Sequence, residues 1–239
     1  MTPITHEQQK RLWEEEHAKP FLFDAMNSTD PSSGVVKFWD WLQQRGPQKD
    51  LEGLECACGK GRNVIWLAQQ AAVRKMHGFD FSTVAITEAI KRAAVADEET
   101  ATSFKIHDAT IPWPYADNTF DFALDIFAST DIESPEGRAF MRQEFLRVLK
   151  PGGYLLLYTL STDDGFHGEM MKESPGDQKN SFYHPTTGKF EKIFDREELA
   201  ALYADFTVVA EDRVEKMATF FGKAYPMKHF WMVLQKPSA

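Results

Sequence analysis

Leu54-Glu55-Cys56-Ala57-Cys58-Gly59-Lys60-Gly61-Arg62-Asn63 is the stretch on which the fold turns. An apolar run, Leu51 to Ala57, leads into it. An amphipathic pattern, Asn63 to Ala72, follows it, with Val64, Ile65, Leu67, Ala68 and Ala71 along one stripe. A strand, a tight glycine turn and a helix start in that order make a ligand cradle. Glycine lets the backbone approach a ligand closely, because no Cβ stands in the way. The helix start adds unpaired N–H donors and a partial positive charge. A dinucleotide fold needs Gly-x-Gly-x-x-Gly/Ala. Counted from Gly59, the third small position falls on the branched Val64; counted from Ala57, it falls on Arg62.

Outward from this turn, strands and helices alternate. Val73 to Phe79 reads as a second strand, and Ser82 caps a helix running through Val95. Ser103 to His107 is a short third strand, and Phe120 to Phe127 is a buried fourth. Ser134-Pro135-Glu136 starts a helix with proline at its first position. Lys150-Pro151-Gly152-Gly153 ends it, and Tyr154 to Leu160 is an apolar strand. Residues 161–194 are polar and turn-rich. Asp195-Arg196-Glu197-Glu198 opens a further helix, and Phe206 to Ala210 and His229 to Leu234 are the last strands. The first fifty residues are helical, with a capping box from Thr5 to Gln8 and a second helix capped at Ser32 or Ser33. Alternation of this kind predicts an α/β, doubly wound, parallel sheet with helices on both faces.

The chain has 239 residues, 43% hydrophobic and 26% charged, which is enough for one α/β domain with a substantial core. The domain divides into an N-terminal helical lid (1–50), a cofactor-binding core (51–160), a substrate-lid insertion (161–194) and a C-terminal helix with the last strands (195–239). A net charge of −9 argues against nucleic acid and anionic lipid as partners. No apolar run reaches membrane-spanning length, and Met1 to Glu7 lacks the basic-then-apolar order of a signal peptide. A cytoplasmic location is expected. The two cysteines, Cys56 and Cys58, suit neither a disulfide nor zinc, so no metal site is expected.

Three acids close successive strands: Glu55, then Asp80 roughly twenty residues after the glycine turn, then Asp108. All three face one crevice of a doubly wound sheet. An acid at the end of the second strand can accept both hydroxyls of a ribose, and Asp108 can accept from an exocyclic amine.

The order of these pieces resembles class I S-adenosylmethionine-dependent methyltransferases. The resemblance rests on the acid-small-x-Gly-x-Gly turn with Arg62-Asn63, Gly78-Phe79-Asp80, and His107-Asp108-Ala109. Phe120 to Asp125 and Leu146-Arg147-Val148-Leu149-Lys150-Pro151-Gly152-Gly153 complete it, over roughly residues 50 to 160. It implies a Rossmann-like, seven-stranded, mostly parallel sheet whose last strand is antiparallel, with S-adenosylmethionine as cofactor. It further implies that Glu55 lies near the methionine amino group and that Ala57, Gly59 and Gly61 form the close backbone approach. Asp80 binds the ribose, and Asp108 with Ala109 holds the adenine. Asn63, Phe81 and Asp125 complete the expected cofactor set. The departure is Ala57, where the family usually has glycine.

After the fourth strand the chain reads Asp125-Ile126-Phe127-Ala128-Ser129-Thr130-Asp131 rather than Asn/Asp-Pro-Pro-Tyr/Phe, which points away from planar amines of nucleic acid or protein. A small-molecule acceptor fits better, and the layout resembles the thiopurine and tellurite type. Trp13, Phe21 and Phe23 are expected as a lid. Asp125, Tyr183 and His184 are the candidate catalytic residues, with His167 as a further base or orienting group. Two rivals remain open at this stage: a nicotinamide-dependent oxidoreductase on the same architecture, and a non-catalytic S-adenosylmethionine-binding protein.

Overall fold

The structure, a computed structural model, describes residues 3–21, 27–46 and 48–238. Strands β1 (Leu51–Cys56), β2 (Val73–Asp80), β3 (Thr102–Ile106), β4 (Phe120–Ile126), β5 (Leu149–Leu160), β8 (Thr207–Phe220) and β9 (Lys223–Gln235) form one sheet in the order β3-β2-β1-β4-β5-β9-β8. A separate pair, β6 (Ser181–Tyr183) and β7 (Phe190–Lys192), lies between β5 and β8 in sequence. β9 runs antiparallel to both β5 and β8, and the other neighbours pair parallel. The expected seven-stranded sheet with an antiparallel last strand is therefore present. Its order reverses between β1 and β4, and ligands of open α/β sheets bind at such a switch, beyond the strands' carboxyl ends.

Eight helices are described: α1 (His6–His17), α2 (Ser33–Gln43), α3 (Arg62–Ala68), α4 (Thr83–Val95), α5 (Ala128–Asp131), α6 (Pro135–Val148), α7 (Gly165–Glu173) and α8 (Arg196–Leu202). Their starts follow local chemistry. Thr5 and Gln8 form a capping box on α1, and Asp195 and Glu198 form one on α8. Ser82 and Ser134 cap α4 and α6 through the N–H groups of Ala85 and Gly137.

Alternation along the strands sorts the core into two layers. Leu155 and Leu157 of β5 and Met232 and Leu234 of β9 face Met141, Phe145 and Leu199 of α6 and α8. Leu156 and Tyr158, with Trp231 and Val233, face Val35, Phe38, Val64, Leu67 and Ile86 of α2, α3 and α4. Cys56 and Cys58 enter opposite layers, because the chain turns at Ala57 between them.

The sequence reading differs from the structure in three places. β5 begins at Leu149, and a register shift against β4 between Phe120 and Phe122 absorbs Lys150 to Gly153 as a bulge. The last strands are much longer than the apolar stretches suggested. β8 and β9 form a hairpin closed by Phe221 and Gly222, both left-handed, as tight hairpin turns require. Residues 161–194 are not a featureless loop: they fold into α7 and the β6/β7 pair around buried Phe166, Phe182, Phe190 and Ile193.

Candidate active site

At the switch point lies a cavity of about 700 Å³, within the ~300–1,000 Å³ of small-ligand sites. Its sheet-side wall is the turn after β1. Ala57, Gly59 and Gly61 all take left-handed backbone, at φ of 52°, 53° and 78°. Gly61 is required twice over, since a Cβ there would come within 2.9 Å of the Phe104 ring and 3.0 Å of Ala89. It does not border the cavity and acts by letting the turn pack down. Ala57 and Gly59 do border it. The family glycine that Ala57 replaces stands at a strained position, and Ala57 is the smallest side chain that retains a Cβ there.

Asp80, buried at the end of β2, holds this turn. Its Oδ2 accepts from Gly59 N–H at 2.9 Å and its Oδ1 from Ser82 N–H at 2.9 Å. Each oxygen keeps a further lone pair. Burial pushes the carboxyl up to about 6, against the pull of those two N–H groups. Glu55, buried at the end of β1, accepts from Asn63 Nδ2 at 2.6 Å through Oε1. Asn63 Oδ1 in turn accepts from Ser32 N–H at 2.8 Å, tying β1 to the start of α2. The second Glu55 oxygen, Oε2, is enclosed and makes no well-formed hydrogen bond among the described residues, with the Val64 N–H nearby. Burial raises this carboxyl to about 8, opposed chiefly by the Asn63 bond. Phe81, Asp108 and Ala109 also border the cavity.

Asp108 is engaged from above. Oδ2 lies 2.7 Å from His6 Nε2 and 3.2 Å from Lys10 Nζ, while Oδ1 accepts from Thr110 N–H and Oγ1 at 2.9 and 2.8 Å. Burial opposes its ionisation, but the His6 and Thr110 bonds hold it well below the usual carboxylate range. His6 also reaches Glu133 at 2.9 Å. Burial works against its charge, yet the bond to Asp108 and the field of Glu133 raise its pKa overall.

Helix α1 thus spans the cavity, and polar contacts fasten it there. Gln9 donates to Asp131 O at 2.8 Å and Phe190 O at 2.9 Å, and accepts from Phe190 N–H at 2.9 Å. Glu16 pairs with Lys189 of the insertion. His17, buried against Gly59 and edge-on to Phe21, has its pKa lowered to about 4 by burial and by Lys60 and Lys189. Of the three aromatics expected as a lid, Trp13 and Phe21 line the cavity; Phe23 lies outside the described residues. His6, Gln9, Glu16 and Lys189 carried no sequence signal, because each meets a partner more than a hundred residues away.

The catalytic candidates separate. His184 is buried in the cavity wall, its Nδ1 accepting from Thr186 and Thr187 N–H at 3.2 and 3.4 Å. Burial lowers its pKa. Asp125 does not reach the cavity. It pairs in register with Cys56 and Leu157, whose side chains enter the α6/α8 layer, and there accepts from Tyr203 Oη at 3.0 Å and Ser129 N–H at 3.1 Å. It is a wall-supporting acid rather than a ligand contact. Tyr183 also lies off the cavity, donating to Asp177 at 2.9 Å and accepting from Ile4 N–H at 3.3 Å. Asp131 does border the cavity, and burial with the charge of Glu191 holds its carboxyl well above the usual range.

Comparison with known proteins agrees with this geometry. A family described as a methyltransferase domain matches residues 54–153. A demethylmenaquinone methyltransferase of Halalkalibacterium halodurans is 30% identical over 156 residues, 64% of this chain and 60% of that protein. A thiopurine S-methyltransferase of Vibrio cholerae is 28% identical over 137 residues, 53% of this chain and 59% of that one. The chain therefore spans less than two thirds of the length of these curated relatives. The crystal structure of an S-adenosylmethionine-dependent methyltransferase from Methanosarcina mazei superposes with a TM-score of 0.70 at 25% identity, covering 83% of this chain and 98% of that one. No helix among the described residues is long and apolar enough to cross a membrane. Residues 54–153 thus match a methyltransferase domain, and the turn and the sheet order give the chain the Rossmann-like fold of S-adenosylmethionine-dependent methyltransferases.

Proposed function

We propose that the chain transfers a methyl group from S-adenosylmethionine to a small-molecule acceptor held in the same cavity. The observation that carries this reading is Glu55, a sealed carboxyl group with one unmatched oxygen beside the glycine turn. A buried polar atom left unmatched costs stability, and a ligand that matches it recovers that cost as affinity. The methionyl ammonium is such a donor. Asp80 keeps one lone pair on each oxygen for the ribose hydroxyls. Phe81, Asp108 and Ala109 border the adenine end, and Ala57 and Gly59 provide the close backbone approach.

When bound, S-adenosylmethionine supplies a methyl group already activated on a sulfonium. What remains for the protein is alignment, exclusion of water and, for a protonated acceptor, removal of a proton. Helix α1, fastened by Gln9 and Glu16, excludes water. His184 accepts at Nδ1, which leaves its ring proton on Nε2. His184 and Asp131 both border the cavity, and they are the groups placed to orient the acceptor and, with Asp131 ionised, to take its proton. A cavity roofed in this way favours a small acceptor over a macromolecule, as does the net charge of −9.

The test is S-adenosylhomocysteine formation with a panel that includes the acceptors named for the relatives, demethylmenaquinone and thiopurines. Turnover with a small acceptor supports the reading. Tight cofactor binding with no product across the panel would favour a non-catalytic binder instead.

A further inference from the structure

A second cluster lies where α7 packs against β9, and two of its three members line the cavity. Asp164 caps α7, His167 lies in its first turn, and His229 comes from β9. One ligand atom from each lies within 4.8 Å of the others. His167 Nδ1 is 2.7 Å from Asp164 Oδ1, and His229 Nε2 is 3.7 Å from Asp164 Oδ2. The side chains of Asp164 and His229 are 0% and 5% exposed, so water does not compete for them.

Two observations go beyond the grouping itself. His229 Nε2 is buried without a hydrogen-bond partner among the described residues, although it faces the carboxylate. Its other ring nitrogen, Nδ1, lies 3.1 Å from Tyr158 Oη. An imidazole held by a second partner on one nitrogen, with the other free beside a carboxylate, is the arrangement of a metal-ligating histidine. Asp164 is held just as firmly, accepting from His167 N–H at 3.0 Å and Lys228 N–H at 2.7 Å.

We propose that Asp164, His167 and His229 bind a divalent transition-metal ion, with its remaining coordination positions open to the cavity. Two imidazoles and one carboxylate suit Zn²⁺, Co²⁺, Ni²⁺ or Fe²⁺ better than Mg²⁺ or Ca²⁺, which prefer oxygen alone. Three protein ligands with an open position characterise sites that hold a further ligand rather than sites that only brace a fold. His167 and His229 both line the cavity. The open position would take an oxygen or sulfur lone pair of the acceptor. That last identification rests on the methyl-transfer reading, whereas binding of the ion does not.

The experiment uses the full, tag-free chain stripped with EDTA and titrated with Zn²⁺ alone, then Co²⁺ alone, without cofactor or acceptor. One equivalent is expected to bind at micromolar Kd or tighter, and Co²⁺ is expected to give a protein-dependent visible d–d band. His229→Gln and His167→Gln are expected to weaken Zn²⁺ binding by at least about tenfold, while His107→Gln leaves it unchanged. His167 is only partly buried, so its variant serves if His229→Gln does not fold. No saturable binding and no Co²⁺ band in the unaltered chain would overturn the site, as would full affinity in folded His167→Gln. Because no methyl donor is present, a failed site and a failed methyl transfer give separate results.

Discussion

Glu16 and Lys189 form an ion pair at 2.6 Å with both side chains almost fully enclosed, at 6% and 4% exposure. The Lys189 ammonium also sits 3.2 Å from the centre of the Trp13 ring. The contact joins α1 to the β6/β7 pair and is one of the buried fastenings of that helix. Removing one member of a buried pair strands the other, at about 3–5 kcal/mol. Lys189→Met is expected to destabilise the chain by that order in denaturant titration. Glu16→Gln combined with Lys189→Met is expected to recover part of the loss. Equal stability of the single variant and the parent would show that the pair contributes nothing.

Asp80 gives cofactor binding a pH dependence with a definite sign. In the proposed binding mode the ribose hydroxyls donate to the ionised carboxylate, and burial has raised this group to about 6. Affinity is therefore full well above that pH and falls below it as the carboxyl protonates, by up to about tenfold per pH unit. Asp80→Ala is expected to weaken S-adenosylmethionine binding by 10- to 100-fold, roughly the ~1.5–3 kcal/mol of charge-assisted hydrogen bonding lost. Calorimetry between pH 5 and 8 checks both, with Asp80→Asn expected to flatten the profile.

Ala57 sits in left-handed backbone at φ 52°. For a residue with a Cβ that conformation costs about 1 kcal/mol or more, which glycine does not incur. Ala57→Gly is expected to raise the melting temperature by a few degrees and to preserve cofactor affinity. A lower melting temperature would mean that the packing of the Ala57 methyl against the α6/α8 layer outweighs the backbone strain.

His6 makes the docking of α1 against Asp108 and Glu133 sensitive to alkali. Its folded pKa is raised above the ordinary 6.5. Its contribution is therefore complete below that ordinary value and is lost as pH rises through the raised one. Amide exchange across His6–His17 is expected to accelerate over that upward range, beyond the intrinsic rise in exchange rate. His6→Gln is expected to exchange faster at low pH and to lose the extra acceleration. An identical corrected profile for both proteins would remove His6 from the role.

Much of the sheet was legible because buried strands leave contiguous or alternating apolar runs, and Glu55, Asp80 and Asp108 were legible as cavity-lining acids because each closes such a run. Asp125 closes one too. Its direction was not legible, since it depends on which row of the sheet it joins: in register with Cys56 and Leu157 it turns toward Tyr203 instead of the cavity. The outer part of the β8/β9 hairpin was hidden for another reason. Glu211 to Lys216 is mostly exposed or half-buried and carries no apolar period. The lid fastenings were hidden because a side chain that meets its partner 181 positions away, as Gln9 meets Phe190, leaves nothing local to detect.

The span of α1 has a consequence for how the two ends of the cavity communicate. One helix bonds Asp108 through His6 near its start and Lys189 through Glu16 near its end, and on the proposed reading these contacts stand beside the cofactor and the acceptor. The two ends then share one conformational equilibrium. A ligand that favours the docked helix at either end raises affinity at the other by the same factor, since such coupling is reciprocal. On the proposed reading the N-terminal helix is a common reporter of both occupancies, and cofactor and acceptor are expected to bind cooperatively through it in addition to their direct contact.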